Sequence, residues 1–203
     1  MKENRQSVAP LPMTDGEREV FDPPPRVPID EWMETRYRLG GKTSDVTGLY
    51  SFEYTPFFRE PMQKLSMPPV KVGIESCTQA GKSTLQVGVF GYLVDQDPGP
   101  TLFTMPRKDD AERRVNARIK PMFESNPDLL AHVPGGDVRN INIGKETVFD
   151  SMIAFLAWST SPAALADNPI CNALTDEPGK FTEIAATGEN PFDLIDERQR
   201  TFW

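Results

Sequence analysis

The segment Ser76-Cys77-Thr78-Gln79-Ala80-Gly81-Lys82-Ser83-Thr84 constrains this chain more than any other stretch. It follows Val70 to Ser76, which predicts a strand. It opens Lys82 to Val94, where Leu85, Val89, Phe90 and Leu93 recur at helical spacing. A loop between a strand and a helix, ending in Gly-Lys-Ser, turns backbone N–H groups toward an anion at a helix N-terminus. Gly81 permits close backbone approach, Lys82 supplies an ammonium for phosphates, and the Ser83 hydroxyl suits Mg²⁺. Ser76, Gln79, Ala80, Gly81, Lys82, Ser83 and Thr84 are therefore candidate nucleotide-binding residues. Lys82 is also a candidate catalytic group and Ser83 a candidate metal ligand. One position departs from the pattern: Ser76 stands where Gly is expected. The alternative is an ordinary strand–turn–helix carrying an exposed lysine.

A second element fits the first. Ile170 to Leu174 predicts an apolar strand, and Thr175-Asp176-Glu177 closes it with adjacent carboxylates. In nucleotide hydrolases of this kind a strand-end Asp holds the Mg²⁺ shell. A Glu directly after it orients and deprotonates water. Asp176 is thus a candidate metal ligand and Glu177 a candidate catalytic base. Both would meet the loop at the carboxyl ends of the strands, where open α/β sheets bind ligands. The alternative is a polar turn that begins at Asp-Glu-Pro.

Between these motifs the chain alternates. Asp97-Pro98-Gly99-Pro100 predicts a turn, Thr101 to Met105 a strand, and Asp109 to Glu124 a helix with Val115, Ile119, Met122 and Phe123 inward. Asn140 to Phe149 predicts a hairpin turning near Gly144-Lys145. Met152 to Trp158 is a continuous apolar run, as in a strand buried on both faces. Pro191 to Arg200 predicts a helix. The fold class is α/β: a P-loop NTPase (ASCE-like), with a mostly parallel sheet flanked by helices and incomplete at its C-terminal side. Of the 20 prolines, about twice ordinary usage, Pro10, Pro12, Pro23, Pro24, Pro25 and Pro28 lie early. Residues 1–48 read as a Pro-rich arm or docking extension, with a short helix at Ile29 to Arg38 capped by Asp30. Residues 49–203 read as the nucleotide-binding domain, its first helix running from about Gly48 to Met67 through Thr55-Pro56.

Charge and cysteine content exclude some functions. A net charge of −8 argues against a general polyanion binder, because phosphate affinity comes from Lys and Arg displacing counterions. Any nucleic-acid contact is local, with Arg107, Lys108, Arg113, Arg114, Arg118 and Lys120 as the patch. Interleaved Asp109, Asp110 and Glu112 give the alternative of a solvated helix face. Two distant cysteines and one histidine, His132, supply neither a disulfide framework nor a zinc site. His132 reads as a surface or capping residue. Cys77 reads as a small loop residue, or as a thiol activated at the helix N-terminus. The longest apolar run is too short to span a bilayer, so no membrane role is expected.

The ordered set of pieces resembles the lambda-type tailed-phage terminase large subunit. The pieces are Tyr54-Thr55-Pro56-Phe57, Gln79-Ala80-Gly81-Lys82-Ser83, Asp95 to Pro100, Thr104-Met105-Pro106, Ser159 to Leu165, and Thr175-Asp176-Glu177. Gly188 to Pro191 and Arg198 to Phe202 are similar to the next helix of that family. The likeness covers about residues 26–203.

That resemblance implies an ATPase motor of viral DNA packaging that translocates double-stranded phage DNA into a procapsid, in the host cell cytoplasm, with ATP and Mg²⁺. It implies a small terminase subunit, a portal and a homo-oligomeric assembly as partners. It carries the ATP role to Lys82, Ser83, Asp176 and Glu177. Tyr54 and Phe57 fall in the segment that packs near adenine in the family, with simple helix packing as the alternative. The family's ribonuclease-H-type nuclease is absent from residues 1–203, and the coupling motif would begin where the chain stops, so weak turnover is expected of this piece alone. Thr78 stands where some terminases carry an arginine finger. Arg107, Arg113, Arg114 and Arg118 are the candidates to replace it. A helicase-like, nucleic-acid-stimulated ATPase and a non-catalytic partner-docking fragment remain the other readings.

Overall fold

The computed structural model of the chain describes residues 14, 26–40, 46–67, 70–160, 165, 169–182, 188 and 190–200. Among them run helix α1 (Ile29–Arg36), the short strands β1 (Arg38–Leu39) and β2 (Gly48–Leu49), and a 3-10 turn (Pro56–Phe58) entering α2 (Arg59–Leu65). Then come α3 (Lys82–Asp95), β3 (Thr101–Met105), and one long helical rod made of α4 (Lys108–Arg114), a π-helical stretch (Val115–Ile119) and α5 (Lys120–Ser125). Helix α6 (Pro127–Ala131), strands β4 (Glu146–Val148), β5 (Ile153–Trp158) and β6 (Asn172–Thr175), and helix α7 (Pro191–Gln199) complete the order.

Four strands form the main sheet in the order β4-β5-β3-β6. Strand β3 pairs in parallel with both β5 and β6, while β4 runs antiparallel to β5. The expected mostly parallel sheet is therefore present. The register pairs Met105 with Trp158 and Thr104 with Thr175, so the carboxyl ends of β3, β5 and β6 lie together.

The sheet is covered on both faces, which explains why β3 is buried at every residue. Side chains alternate across a strand. Phe103 and Met105 enter a large core with Trp32, Phe90, Phe123 and Phe149, while their neighbour Leu102 joins Leu165, Ile170, Leu194 and Ile195 on the opposite side. Aromatic edge-to-face contacts stiffen the first core: the Phe90 ring meets Phe123 at 6.2 Å and Phe149 at 6.1 Å. Helix α1 closes on α3 because Gly88 lacks a side chain. A Cβ there would stand 2.5 Å from Met33 Cε and 2.8 Å from Tyr37 Cε1.

Several expectations need correction. Val70 to Ser76 has no assigned strand, and among the described residues it pairs in no ladder. Its sequence suits a strand, but a strand needs a neighbour on its edge. Gly48 to Met67 is not one helix: β2 and the turn at 52–54 precede the 3-10 entry at Pro56. Thr55-Pro56 does mark that entry. Asp30 does not cap α1. Pro28 is the N-cap, and Asp30 is buried in the first turn, accepting a hydrogen bond from Gln63. The hairpin sits later than expected, with β4 pairing to β5 through a turn at 149–152, because the in-register apolar partners are Ala154 and Ile153.

The described part of the supposed arm contributes Trp32 and Met33, both fully buried, to the first core. Pro10, Pro12, Pro23 to Pro25, Ser161 to Ala164, Glu189, Thr201 and Phe202 lie outside the described residues.

Candidate functional site

The phosphate-loop candidate is a backbone device. Two of its residues are left-handed, Gln79 with φ 63° and Gly81 with φ 93°. These reversals swing the chain from the 70–76 segment into α3, and glycine adopts such angles without strain. Gly81 is the N-cap of α3, and no side chain caps the helix. The first turn of a 14-residue helix thus presents its N–H groups and positive dipole end to whatever lies before it. The Lys82 ammonium folds back over the loop, donating to the carbonyls of Ser76 at 2.5 Å and Cys77 at 2.7 Å. Ser76 Oγ is buried with no hydrogen-bond partner. Ser83 and Thr84 are half-buried, and Thr84 O accepts from the Tyr37 hydroxyl at 3.2 Å.

The 3-10 turn abuts this loop. A Cβ on Gly81 would lie 3.6 Å from Thr55 Cγ2 and 3.9 Å from Phe58 Cε2. Tyr54 and Phe57, on either side of Thr55-Pro56, are 69% and 56% exposed. The Phe57 ring meets the buried Phe58 ring edge-to-face at 4.5 Å, so local packing remains an account of Phe57.

The acidic candidate is held by the sheet. Asp176 N donates to Thr104 O at 2.9 Å and extends the β3–β6 ladder by one residue. Its carboxylate makes a close ion pair with Arg114, and the two side chains are only 15% and 14% exposed. Burial and the like charge of Arg118 hold the Arg114 guanidinium below its ordinary pKa, with Glu177 and Asp110 opposing them. Glu177 is itself left-handed, with φ 48°, and its exposed carboxylate pairs with Lys180 at 2.8 Å.

Arg118, one turn beyond Arg114, connects the halves. It lines a small crevice with Tyr37, Thr84 and Val87, so the rod bearing Arg114 reaches the first turn of α3. Among the described residues no hydrogen bond joins Lys82 to Asp176 or Glu177; each is engaged locally. Ser83 and Asp176 offer hard oxygen donors, a set that suits a Mg²⁺ ion retaining several waters. Asp176 already carries one cation, the guanidinium of Arg114. Among the described residues no group of three or more His, Cys, Asp or Glu is arranged to hold a metal.

Of the other residues singled out, His132 caps α6 and bridges Asp150 at 2.7 Å and Asp95 at 3.5 Å. Asp95 was not anticipated as a hub, yet it also accepts from Trp32 Nε1 at 2.6 Å. Burial raises the Asp95 pKa, but that hydrogen bond, with Gln96, Arg36 and His132, brings it below the ordinary value. Cys77 is exposed on the loop, and burial raises the Cys171 thiol. Within the basic patch Arg113 pairs with Asp110 and Lys108 with Glu112, while Lys108 also sits over the Trp158 ring. Arg114 was legible as a basic residue but not as the partner of Asp176. The only signal was its place on the rod that follows β3.

The model of the family described as phage terminase large subunit gpA, ATPase domain, matches residues 44–203. A curated relative, the terminase large subunit of Escherichia phage lambda, is 28% identical over 120 residues. That match covers 59% of this chain and 18% of the relative, so the chain spans less than a fifth of the relative's length. No solved structure matches the chain.

Proposed function

The chain belongs to the phage terminase large subunit gpA family, in its ATPase domain, and from that premise we propose that it binds Mg²⁺–ATP at Ser76–Thr84 and hydrolyses it to translocate phage DNA. The family membership supports a role in phage DNA packaging. The observation that carries the reading is the left-handed Gln79–Gly81 turn, which opens α3 with Lys82 folded over the loop carbonyls.

The residues divide the work. The N–H groups of the loop and of the first turn of α3 bind the β- and γ-phosphates. Lys82 leaves the Ser76 and Cys77 carbonyls and turns its ammonium to the phosphates, so one group serves the loop and the ligand in turn. Ser83 and Asp176 hold Mg²⁺, which supplies charge neutralisation across the phosphates when bound. Glu177 exchanges Lys180 for the attacking water and takes its proton. Tyr54 and Phe57 offer exposed rings beside the loop for the base, a reading supported by their exposure.

Double-stranded phage DNA, a small terminase subunit, a portal or procapsid and further copies of the chain are the proposed partners, in the host cell cytoplasm. None of the described helices is long and apolar enough to cross a membrane.

Lys82→Ala tests the reading. We expect binding of fluorescent mant-ATP with MgCl₂ to weaken by about a hundredfold or more, the worth of one charge-assisted phosphate contact and its geometry. Equal affinity in the variant and the parent chain, with the fold intact by circular dichroism, would refute it.

A further inference from the structure

Asp176 already holds a cation, and the way it holds it is incomplete. Arg114 Nη2 donates to Asp176 Oδ2, while Arg114 Nη1 is buried with no hydrogen-bond partner. A guanidinium is a rigid fork that matches a carboxylate with two parallel bonds. A carboxylate shaped to keep Arg114 permanently would take both nitrogens. Here one is engaged and one is stranded, in surroundings that leave each side chain less than one-sixth exposed.

A further feature lies in the backbone that carries Arg114. The backbone immediately after Arg114 is the π-helical stretch Val115–Ile119, where the widened turn loosens the helical ladder. Such turns occur frequently at functional sites. Glu177, the next residue after Asp176, offers Arg114 a second negative charge close by.

We propose that Arg114 is a positioning residue, a tethered counter-ion that holds the Asp176 carboxylate while the nucleotide site is empty and yields it to Mg²⁺ when nucleotide binds. The proposal rests on Asp176 being the metal ligand. Mg²⁺ demands near-ideal octahedral oxygen geometry and would sit on the same carboxylate that Arg114 pairs with, so the guanidinium and the metal compete for one negative charge. The device keeps a buried carboxylate compensated in the absence of metal, which otherwise costs free energy. It also makes metal affinity depend on a protein side chain.

The experiment titrates MgCl₂ into the full 203-residue chain with mant-ADP and reads the half-saturating MgCl₂ concentration. Arg114→Gln removes the competitor and lowers that midpoint about fivefold, the equivalent of one partly buried ion pair. Arg114→Lys keeps a movable cation and returns the midpoint to within about twofold of the parent. A merely structural prop for Asp176 predicts the reverse, a raised midpoint in Arg114→Gln. An unchanged or raised midpoint therefore overturns the proposal. Should Arg114→Gln fail to fold, the parent chain decides through its ¹⁵N-labelled guanidinium resonances, with the Arg114 signal assigned by its loss in Arg114→Lys. That signal moves when MgCl₂ is added to the mant-ADP sample and not when EDTA replaces it; a signal that stays put overturns the proposal. If the parent chain binds no mant-ADP at any MgCl₂ concentration, the reading of the loop fails and this one with it. Binding with an unaltered midpoint removes the Arg114 role alone.

Discussion

The two halves of the proposed site are built on opposite principles. The carboxylate half is anchored: Asp176 continues a ladder whose neighbour β3 is buried throughout, and its side chain is ion-paired. The loop half is poised. Its lead-in, Val70 to Ser76, joins no ladder, and its turn depends on two left-handed residues and a lysine bonded to carbonyls of its own loop. The contrast shows how one site combines precision with adaptability. The metal ligand is positioned by the sheet, and the phosphate cradle keeps the freedom to close on its ligand.

Amide hydrogen exchange gives the largest test of this contrast. Amides of Leu102 to Met105, bonded between two neighbours, exchange only through broad opening, whereas those of Val70 to Ile74 exchange locally. We expect the β3 amides to be slower by roughly a thousandfold or more. Rates within about tenfold of each other would show that the lead-in is as firmly held as the strand it lacks.

Mutation sharpens the same comparison on a smaller scale. Asp176→Asn leaves the guanidinium of Arg114 buried without a counter-charge and should cost about 1–3 kcal/mol in urea unfolding. Lys82→Ala deletes hydrogen bonds that close a loop and should cost less than about 1 kcal/mol. Nucleotide affinity should reverse the ranking seen in stability, since Lys82 would touch the phosphates directly and Asp176 would reach them only through Mg²⁺. A Lys82 variant less stable than the Asp176 variant would break the distinction.

How much could be read from the chain follows the same line. Helices α3 and α7 and strands β3 and β5 were legible because their signals are local: apolar spacing, a continuous apolar run and the Pro-Gly-Pro turn. The loop and the Asp176-Glu177 pair could be proposed as a site because their chemistry sits in consecutive residues. What needed tertiary partners was lost. A strand at 70–76 requires an edge to pair with, and the sequence cannot show whether one is supplied. The Arg114–Asp176 pair exists only because β3 and β6 are in register, so that the rod after β3 starts beside the end of β6. Asp30 looked like a cap because Asp is a good one. Burial against Gln63 and Arg59 claimed it instead.

The smallest effect probes the loop most directly. Gly81 has φ 93°, where any L side chain is strained, yet a Cβ there would meet nothing closer than 3.6 Å. Gly81→Ala therefore isolates the backbone cost from any steric one. The left-handed conformation costs about 1–2 kcal/mol for alanine, and the reduced freedom of the unfolded chain returns about 0.4–1 kcal/mol, so a net loss near 1 kcal/mol is expected in urea unfolding. A loop rigidly set by its surroundings must bear that strain in full. A loop free to relax would flatten the turn instead, losing almost no stability and giving up mant-ATP affinity in exchange. The pairing of those two readouts in one variant decides whether the cradle is preformed or shaped by its ligand.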